Sequence, residues 1–214
     1  MSTVALAEEI GAQLRINVVR NAIKSLVTQI EENLDNIEVK TALYTFSNHI
    51  HTKTGLMDGI DKFKSRATNI RIHRELYRGG GTNFYGVFTE FSQIMNNLKP
   101  KNGVKQHVII LSDAVSHHNV KSGLTDHIWG QTSNYRYYKA SFNPIWCDPF
   151  KNVPDRTVYG FWVDPEYSGS QYERAMKECA SSPAEFFRAN SEAEINKAFK
   201  DLLNSILQSV YLSN

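Results

Sequence analysis

The 214-residue chain has little of several features that would narrow its class at once. Its formal net charge is only +2, and its lysines and arginines are spread along the sequence, which argues against a nucleic-acid partner. The longest apolar stretch lies around Val108–Leu111, far short of the roughly 20 residues that a membrane-spanning helix needs. We therefore expect no bilayer span within this sequence.

Cysteine and enzyme motifs are also scarce. The two cysteines, Cys147 and Cys179, form no Cys-x-x-Cys pair, which argues against a zinc site built on thiolates. From the residues alone, two free buried thiols and one disulfide are equally compatible. No Gly-x-Ser-x-Gly elbow is present, and the glycine-rich segment RGGGTNFYG lacks both the phosphate-loop lysine and the dinucleotide spacing. We expect the chain not to be an enzyme.

The sequence does contain a regular alternation of helical and extended patterns. Apolar residues recur every four positions from Ile10 to Ile30, which predicts a long amphipathic helix. Apolar and β-branched runs predict buried strands at Val39–Phe46, His107–Asp113 and Thr157–Val163, and a short strand at Glu185–Ala189. Further helices are predicted at Met57–Arg66, Phe84–Leu98 and Ser170–Ala180, and after a Ser191–Glu194 capping box.

This order predicts an α/β fold with a doubly wound, mostly parallel sheet and helices on both faces. We expect one domain over residues 1–214. Residues 114–156 interrupt the alternation as a long polar and aromatic excursion with weak periodicity, which we expect to hold short helices. A connection of this length inside a compact domain is usually functional or mobile.

Two oxygen-bearing residues are predicted at one edge of this sheet. Asp113 ends the strand HVIILSD, and Thr82 lies in the glycine loop before an amphipathic helix. Ligands of such sheets bind beyond the carboxyl ends of the strands, and hard divalent cations prefer oxygen ligands. The alternative is that glycines 79–81 only form a tight loop and that Asp113 is a helix cap or a solvated strand end.

These residues resemble a known family. The segments GGGTNF and VIILSDA are similar to two parts of the metal-ion-dependent adhesion site of von Willebrand factor A domains. The resemblance implies that Thr82 and Asp113 are ligands of Mg²⁺ or Mn²⁺ and that a partner carboxylate completes the metal shell. Two departures stand out. Ala114 follows Asp113 where the family usually has glycine, and the family's first strand, with Asp-x-Ser-Gly-Ser-Met, is absent.

Because Met1 stands where that motif's methionine would stand, we expect the central strand and most of the metal site to be missing. The segments WCDPFK, TVYGFWV and ECASSPAEFFRAN further resemble the TadG-like proteins of tight-adherence (Flp) pilus assembly. That resemblance implies a cell-envelope location outside the cytoplasm, a protein partner, and membrane association only through a segment not present in this chain. It also implies a Cys147–Cys179 disulfide.

Other residues leave alternatives open. Candidate partner-binding residues are Gly80, Gly81, Asn83, Trp129 and Tyr137, although the aromatics of the excursion could instead pack it onto the domain. A transition-metal cluster is one interpretation of His117, His118 and His127, and solvated loop histidines are the other. The alternative functions are an intracellular A-type adaptor for an ATPase and a divalent-metal hydrolase, for which Asp126, Asp148 and Asp164 are the candidate carboxylates.

Overall fold

The computed structural model describes residues 15–33, 38–47, 49–53, 55–58, 60–70, 82–100, 104–116, 140–163, 170–188 and 191–211. The helices are α1 (Arg15–Asn33), α2 (Ile60–Thr68), α3 (Phe84–Asn97), α4 (Asp148–Lys151), α5 (Gln171–Cys179) and α6 (Glu192–Tyr211), with 3₁₀ turns at Pro144–Cys147 and Pro183–Glu185. The strands are β1 (Lys40–Thr41), β2 (Tyr44–Phe46), β3 (Ile50–Lys53), β4 (Met57–Asp58), β5 (Gln106–Ser112), β6 (Val115–Ser116), β7 (Ala140–Ser141), β8 (Arg156–Trp162) and β9 (Phe186–Arg188).

Contacts divide the chain into two compact units. We call Met1–Tyr44, Lys53–His73 and Ala189–Asn214 the helical unit, and Thr45–Thr52 and Arg74–Arg188 the sheet unit. The expectation of a single domain over residues 1–214 stays a prediction.

In the helical unit, α1 packs against α2 and α6 through apolar side chains at helical spacing. The buried members are Leu26, Val27, Phe63, Ala67, Ile195, Phe199, Leu202 and Leu203. Arg20 Nε donates to the Ile70 carbonyl over 2.7 Å, next to the end of α2. The predicted cap of the last helix is also present, because the Ser191 hydroxyl accepts from the Glu194 amide over 3.2 Å. The predicted start of α1 at Ile10 lies outside the described residues.

The sheet unit contains the parallel sheet that the sequence predicts. Strand β5 pairs in parallel with β8 from Gln106 opposite Arg156 to Ser112 opposite Trp162. Strand β8 pairs in parallel with β9, so β8 is the middle strand of the order β5–β8–β9. Position 160 in β8 requires a glycine, because a Cβ there would lie 2.8 Å from the backbone oxygen of Met176 in α5.

One face of this sheet carries the main core of the unit. Buried residues of β5, β8, α3 and α5 meet there with residues from the end of the excursion: Phe84, Phe88, Val108, Ile110, Phe142, Phe150, Val158, Trp162 and Met176. The ring centroids of Phe84 and Phe142 are 4.7 Å apart, and those of Phe88 and Phe150 are 5.5 Å apart. The described end of the excursion is therefore part of the core, and it contains the short helices that the sequence predicts.

The predicted strand Val39–Phe46 is wrong as a single element. The structure has two short strands there, with β1 pairing antiparallel to β4 and β2 pairing with β3. Ala42 and Leu43 separate them, and the pattern of apolar residues could not reveal that the two halves have different partners. The predicted helix Met57–Arg66 also starts later, at Ile60, because Met57 and Asp58 belong to β4.

A buried arginine fixes the corner where α3 ends and β5 and β8 begin. Arg156 is 6% exposed, and its Nη2 donates to the Met95 carbonyl over 3.0 Å and its Nη1 to the Phe150 carbonyl over 3.3 Å. Its Nε donates to the side-chain oxygen of Gln106, whose amide nitrogen donates to the Leu98 carbonyl over 2.8 Å. Burial lowers the pKa of Arg156 from its ordinary value.

Candidate binding edge of the sheet

The Arg156 corner determines which edge of the sheet faces the start of α3. The end of α3 is held beside the first residues of β5 and β8, so the helix runs back along the sheet. Its 14 residues rise by about 21 Å, and the seven residues of β5 span about 23 Å. The start of α3 is therefore level with the end of β5.

A second set of contacts leads to the same placement. Phe84, the first residue of α3, packs against Phe142, which directly follows β7. Strand β7 pairs with β6, with Ser116 opposite Ala140, and β6 begins two residues after Asp113. The structure thus brings Thr82, two residues before Phe84, to the sheet edge on which Asp113 lies.

The end of β2 joins this edge through the backbone. The Asn83 amide donates to the Ser47 carbonyl over 3.0 Å, and Ser47 follows β2 directly. The Ser47 hydroxyl is hydrogen-bonded to Nε2 of His51, whose ring lies 4.2 Å from that of His49 between centroids. Sequence reasoning missed this group, although the i, i+2 spacing of the two histidines places them on one side of an extended segment.

Asn83 has a local structural role at this edge. Its side-chain oxygen accepts from the Gly86 amide over 3.0 Å, which makes it the N-cap of α3. Gly86 suits this arrangement, because a Cβ there would lie 2.7 Å from Nδ2 of Asn83. The sequence proposed Asn83 as a partner-binding residue, and the structure shows its side-chain oxygen engaged in the cap of α3.

The backbone after β5 explains the residue that departs from the family pattern. Ala114 has a φ of 59°, in the left-handed region that favours glycine, and it is fully buried. Its amide donates to the Ser112 hydroxyl over 3.1 Å. The chain therefore makes the sharp turn after Asp113 that a glycine would make, and it uses the smallest chiral side chain to do so.

Several other candidate residues cannot be placed. Gly80, Gly81, Trp129, Tyr137, His117, His118, His127, Asp126 and Asp164 all lie outside the described residues. Asp148 is described, as the first residue of α4. Because Arg156 at the start of β8 donates to Phe150 in the same short helix, Asp148 lies toward the opposite end of the strands from Asp113. These two carboxylates do not converge.

The oxygen ligands at this edge are fewer than the cation implied by the resemblance requires. Thr82 and Asp113 supply a hydroxyl and a carboxylate, whereas Mg²⁺ requires a near-octahedral shell of oxygens. Within the described ranges, no group of three or more His, Cys, Asp or Glu side chains is placed to hold a metal ion. The described residues therefore do not form a complete cation site by themselves.

Cys147 and Cys179 form a disulfide, with their Cα atoms 5.5 Å apart. Both are fully buried. The bond joins the 3₁₀ turn Pro144–Cys147 to the last residue of α5. This is the pairing that the TadG-like resemblance implies. In the part of the chain that the structure describes, no helix is both long enough and apolar enough to cross a bilayer.

The comparisons with solved structures identify the fold. The pilus adhesin SpaC from Lactobacillus rhamnosus GG matches 92% of this chain with a TM-score of 0.61 at 15% identity, and the match spans 28% of SpaC. The vWF domain of the type V pili tip protein Mfa5 from Porphyromonas gingivalis matches 92% of this chain and 89% of its own, with a TM-score of 0.63 at 13% identity.

Proximal thread matrix protein 1 from the mussel byssus, solved with a zinc-occupied MIDAS motif, matches 86% of this chain and 38% of its own. Its TM-score is 0.57 at 16% identity. No family model and no curated protein sequence matches the chain. The structural likenesses show that this chain has the fold of a von Willebrand factor A-like domain, with its mixed α/β architecture and parallel sheet, as the sequence predicts.

Proposed function

We propose that the chain is a protein-binding module in the assembly or adhesion of a bacterial surface pilus and that it binds through the sheet edge at Thr82 and Asp113. The observation that carries the proposal is the convergence of three segments there, after β2, before α3 and after β5. Two of the structural neighbours are named as a pilus adhesin and a pilus tip protein. The TadG-like segments of the sequence support the same setting.

A location outside the cytoplasm is part of this proposal. Disulfides persist in oxidising compartments and are rare in the cytosol. The Cys147–Cys179 bond therefore supports an envelope or surface location over the alternative of an intracellular adaptor, which would have reduced cysteines.

The chemistry of the edge limits what it can bind. Since the described residues do not complete a cation shell, the proposal includes no step through a metal ion. A carboxylate such as Asp113 only accepts hydrogen bonds, so it favours amide or basic donors on a partner over a partner carboxylate. Thr82 offers a hydroxyl that can donate or accept. We therefore propose a partner surface that presents hydrogen-bond donors to this edge.

Site-specific photo-crosslinking in the cells that produce the protein tests the proposal. A photoreactive phenylalanine analogue replaces Tyr85, which is exposed in the first turn of α3, or Lys99, which is exposed just beyond the other end of that helix. Both variants carry the same probe, and they differ only in the edge that it samples. We expect a crosslinked envelope protein from position 85 and not from position 99. Equal products from both positions, or none from position 85, would contradict the proposal.

A further inference from the structure

Strand β5 is hydrogen-bonded to a neighbour along only one of its two sides. It pairs with β8, and no other strand in the described part of the chain pairs with it. The Gln106 amide donates to the Asp155 carbonyl over 2.8 Å, and the Ser112 carbonyl accepts from the Val163 amide over 3.2 Å. Since residues at both ends of the ladder are even-numbered, the even-numbered residues of β5 direct their backbone groups toward β8.

The odd-numbered residues of β5 direct their backbone groups the other way. The amide and carbonyl of one strand residue lie on the same side, and that side alternates along the strand. His107, Ile109 and Leu111 therefore present their N–H and C=O groups at the open edge, and no hydrogen bond to these groups is found among the described residues. Such a row of unpaired donors and acceptors is a template for pairing with another strand.

The open edge of β5 lacks the features that usually protect an outer strand. The strand has seven residues, none of which is Lys, Arg, Asp, Glu or Pro, and its register with β8 runs without a bulge. The other outer strand, β9, has only three residues and carries Arg188, whose side chain is 55% exposed. Ile109, at the centre of β5, is 37% exposed. Of the two outer strands, β5 is therefore the one suited to pairing.

The sequence of β5 is complementary to itself in the antiparallel direction. If two copies of β5 pair around Ile109, His107 of one copy lies opposite Leu111 of the other, and every outward amide and carbonyl gains a partner. A shift of the register by two residues would leave some of these groups unpaired. The two Ile109 side chains become direct cross-strand neighbours, which covers the exposed residue.

The charges that flank β5 favour the same register. Lys105 precedes the strand and Asp113 follows it, at equal distances along the chain from Ile109. In an antiparallel pair around Ile109, Lys105 of one copy faces Asp113 of the other at both ends of the interface. Lys105 Nζ lies 2.6 Å from Asp155 Oδ1 in its own copy, and its three N–H donors allow contact with a second carboxylate.

We propose that the open edge of β5 is a dimer interface, in which two copies of this chain pair β5 with β5 in antiparallel direction around Ile109. The interface is isologous, because both copies contribute the same surface. The inference goes beyond the binding function proposed above and does not depend on it, since that function is tested by the crosslinks from position 85.

Sedimentation equilibrium of the full chain over a range of concentrations, with amide hydrogen exchange of the same samples by NMR, tests the interface. We expect a reversible dimer. Exchange at the amides of His107, Ile109 and Leu111 should be fast in the monomer and slow in the dimer. The amides of Val108 and Ile110 should exchange slowly in both states, because they belong to the ladder with β8.

Two lysine substitutions form a matched pair for this test. Ile109→Lys places like charges opposite each other at the centre of the interface, and we expect it to weaken the dimer about tenfold. Val104→Lys adds the same charge at a residue that is 53% exposed and precedes β5, and it should leave the dissociation constant unchanged. Slow exchange at Val108 and Ile110 in each variant shows that the sheet is intact.

Charge reversal tests the register without altering β5 itself. Asp113→Lys should weaken the dimer about threefold, because lysines then face each other at both ends of the interface. Adding Lys105→Glu to that variant should restore the affinity. A double variant that dimerises no better than Asp113→Lys alone would contradict pairing around Ile109.

A reversible dimer with protection of the odd-numbered amides, weakened by Ile109→Lys and not by Val104→Lys, supports the proposal. A chain that stays monomeric at its highest soluble concentration overturns it, as do equal dissociation constants for Ile109→Lys and wild type. Slow exchange at Ile109 and Leu111 in the monomer also overturns it, because the edge would then be covered already. Protection of these amides only by another protein from the producing cells would assign the edge to that protein and overturn the dimer.

Discussion

Acidification is expected to weaken the fold through one histidine of the sheet. His107 lies on β5, and its Nδ1 is hydrogen-bonded to the Tyr159 hydroxyl of β8 over 3.1 Å. Its Nε2 is buried without a hydrogen-bond partner among the described residues. Burial, with a smaller contribution from the charge of Lys105, lowers the pKa of His107 from 6.5 to about 4. Protonation would place a charged N–H at Nε2 with no acceptor.

The sign and size of the effect follow from proton linkage. Between pH 6.5 and pH 4 the unfolded chain binds a proton at His107 that the folded chain does not, so the free energy of unfolding falls as the pH falls. The contribution is fully present above pH 6.5. By pH 4.5 the loss amounts to about 2.5 kcal/mol, a large fraction of the stability of an ordinary domain.

Urea denaturation at a series of pH values measures this loss. The wild-type chain is compared with His107→Asn, which keeps a polar group near Tyr159 and removes the titration, and with His49→Asn, which alters an exposed histidine. We expect the His107 variant to lose about 2.5 kcal/mol less than wild type between pH 7.5 and pH 4.5, and the His49 variant to follow wild type. Parallel pH profiles for wild type and His107→Asn would refute the reasoning.

Two further predictions concern covalent and buried polar contacts. Arg156→Met leaves two buried carbonyls and the half-buried side-chain oxygen of Gln106 without their donor and should lower the free energy of unfolding by about 3 kcal/mol, measured by urea denaturation, whereas the exposed Arg174→Ala should change it little. Equal effects of the two arginine variants would contradict this. Replacing both Cys147 and Cys179 by alanine opens a loop with a sequence separation of 32 and should cost about 3–4 kcal/mol. Calorimetry checks it, and an unchanged melting temperature would show the estimate to be wrong.

The long strands and α3 of the sheet unit could be predicted from the sequence, because each apolar pattern lies in one environment along its whole length. The predicted strands at His107–Asp113 and Thr157–Val163 lie within one residue of β5 and β8, and the predicted α3 is also close. The pattern failed at Val39–Phe46, where two halves of one apolar run pair with different strands. Hydrophobicity records that a residue is buried, but it does not record which strand is the neighbour.

The candidate edge shows a similar division. The expectation that Asp113 lies at a ligand-binding edge used only the rule that parallel strands present their carboxyl ends to one edge. The turn at Ala114 was not predictable, because alanine gives no signal for a positive φ.

The Arg156 corner has a consequence for how the sheet unit comes apart. Its acceptors are two backbone carbonyls and one amide oxygen, and none of these groups gains a proton within the range in which proteins unfold in acid. His107, which follows Gln106 directly on β5, by contrast becomes charged as the pH falls toward 4. Acid should therefore disturb the contact between His107 and Tyr159 while the hydrogen bonds of Arg156, one residue away on the same two strands, stay intact.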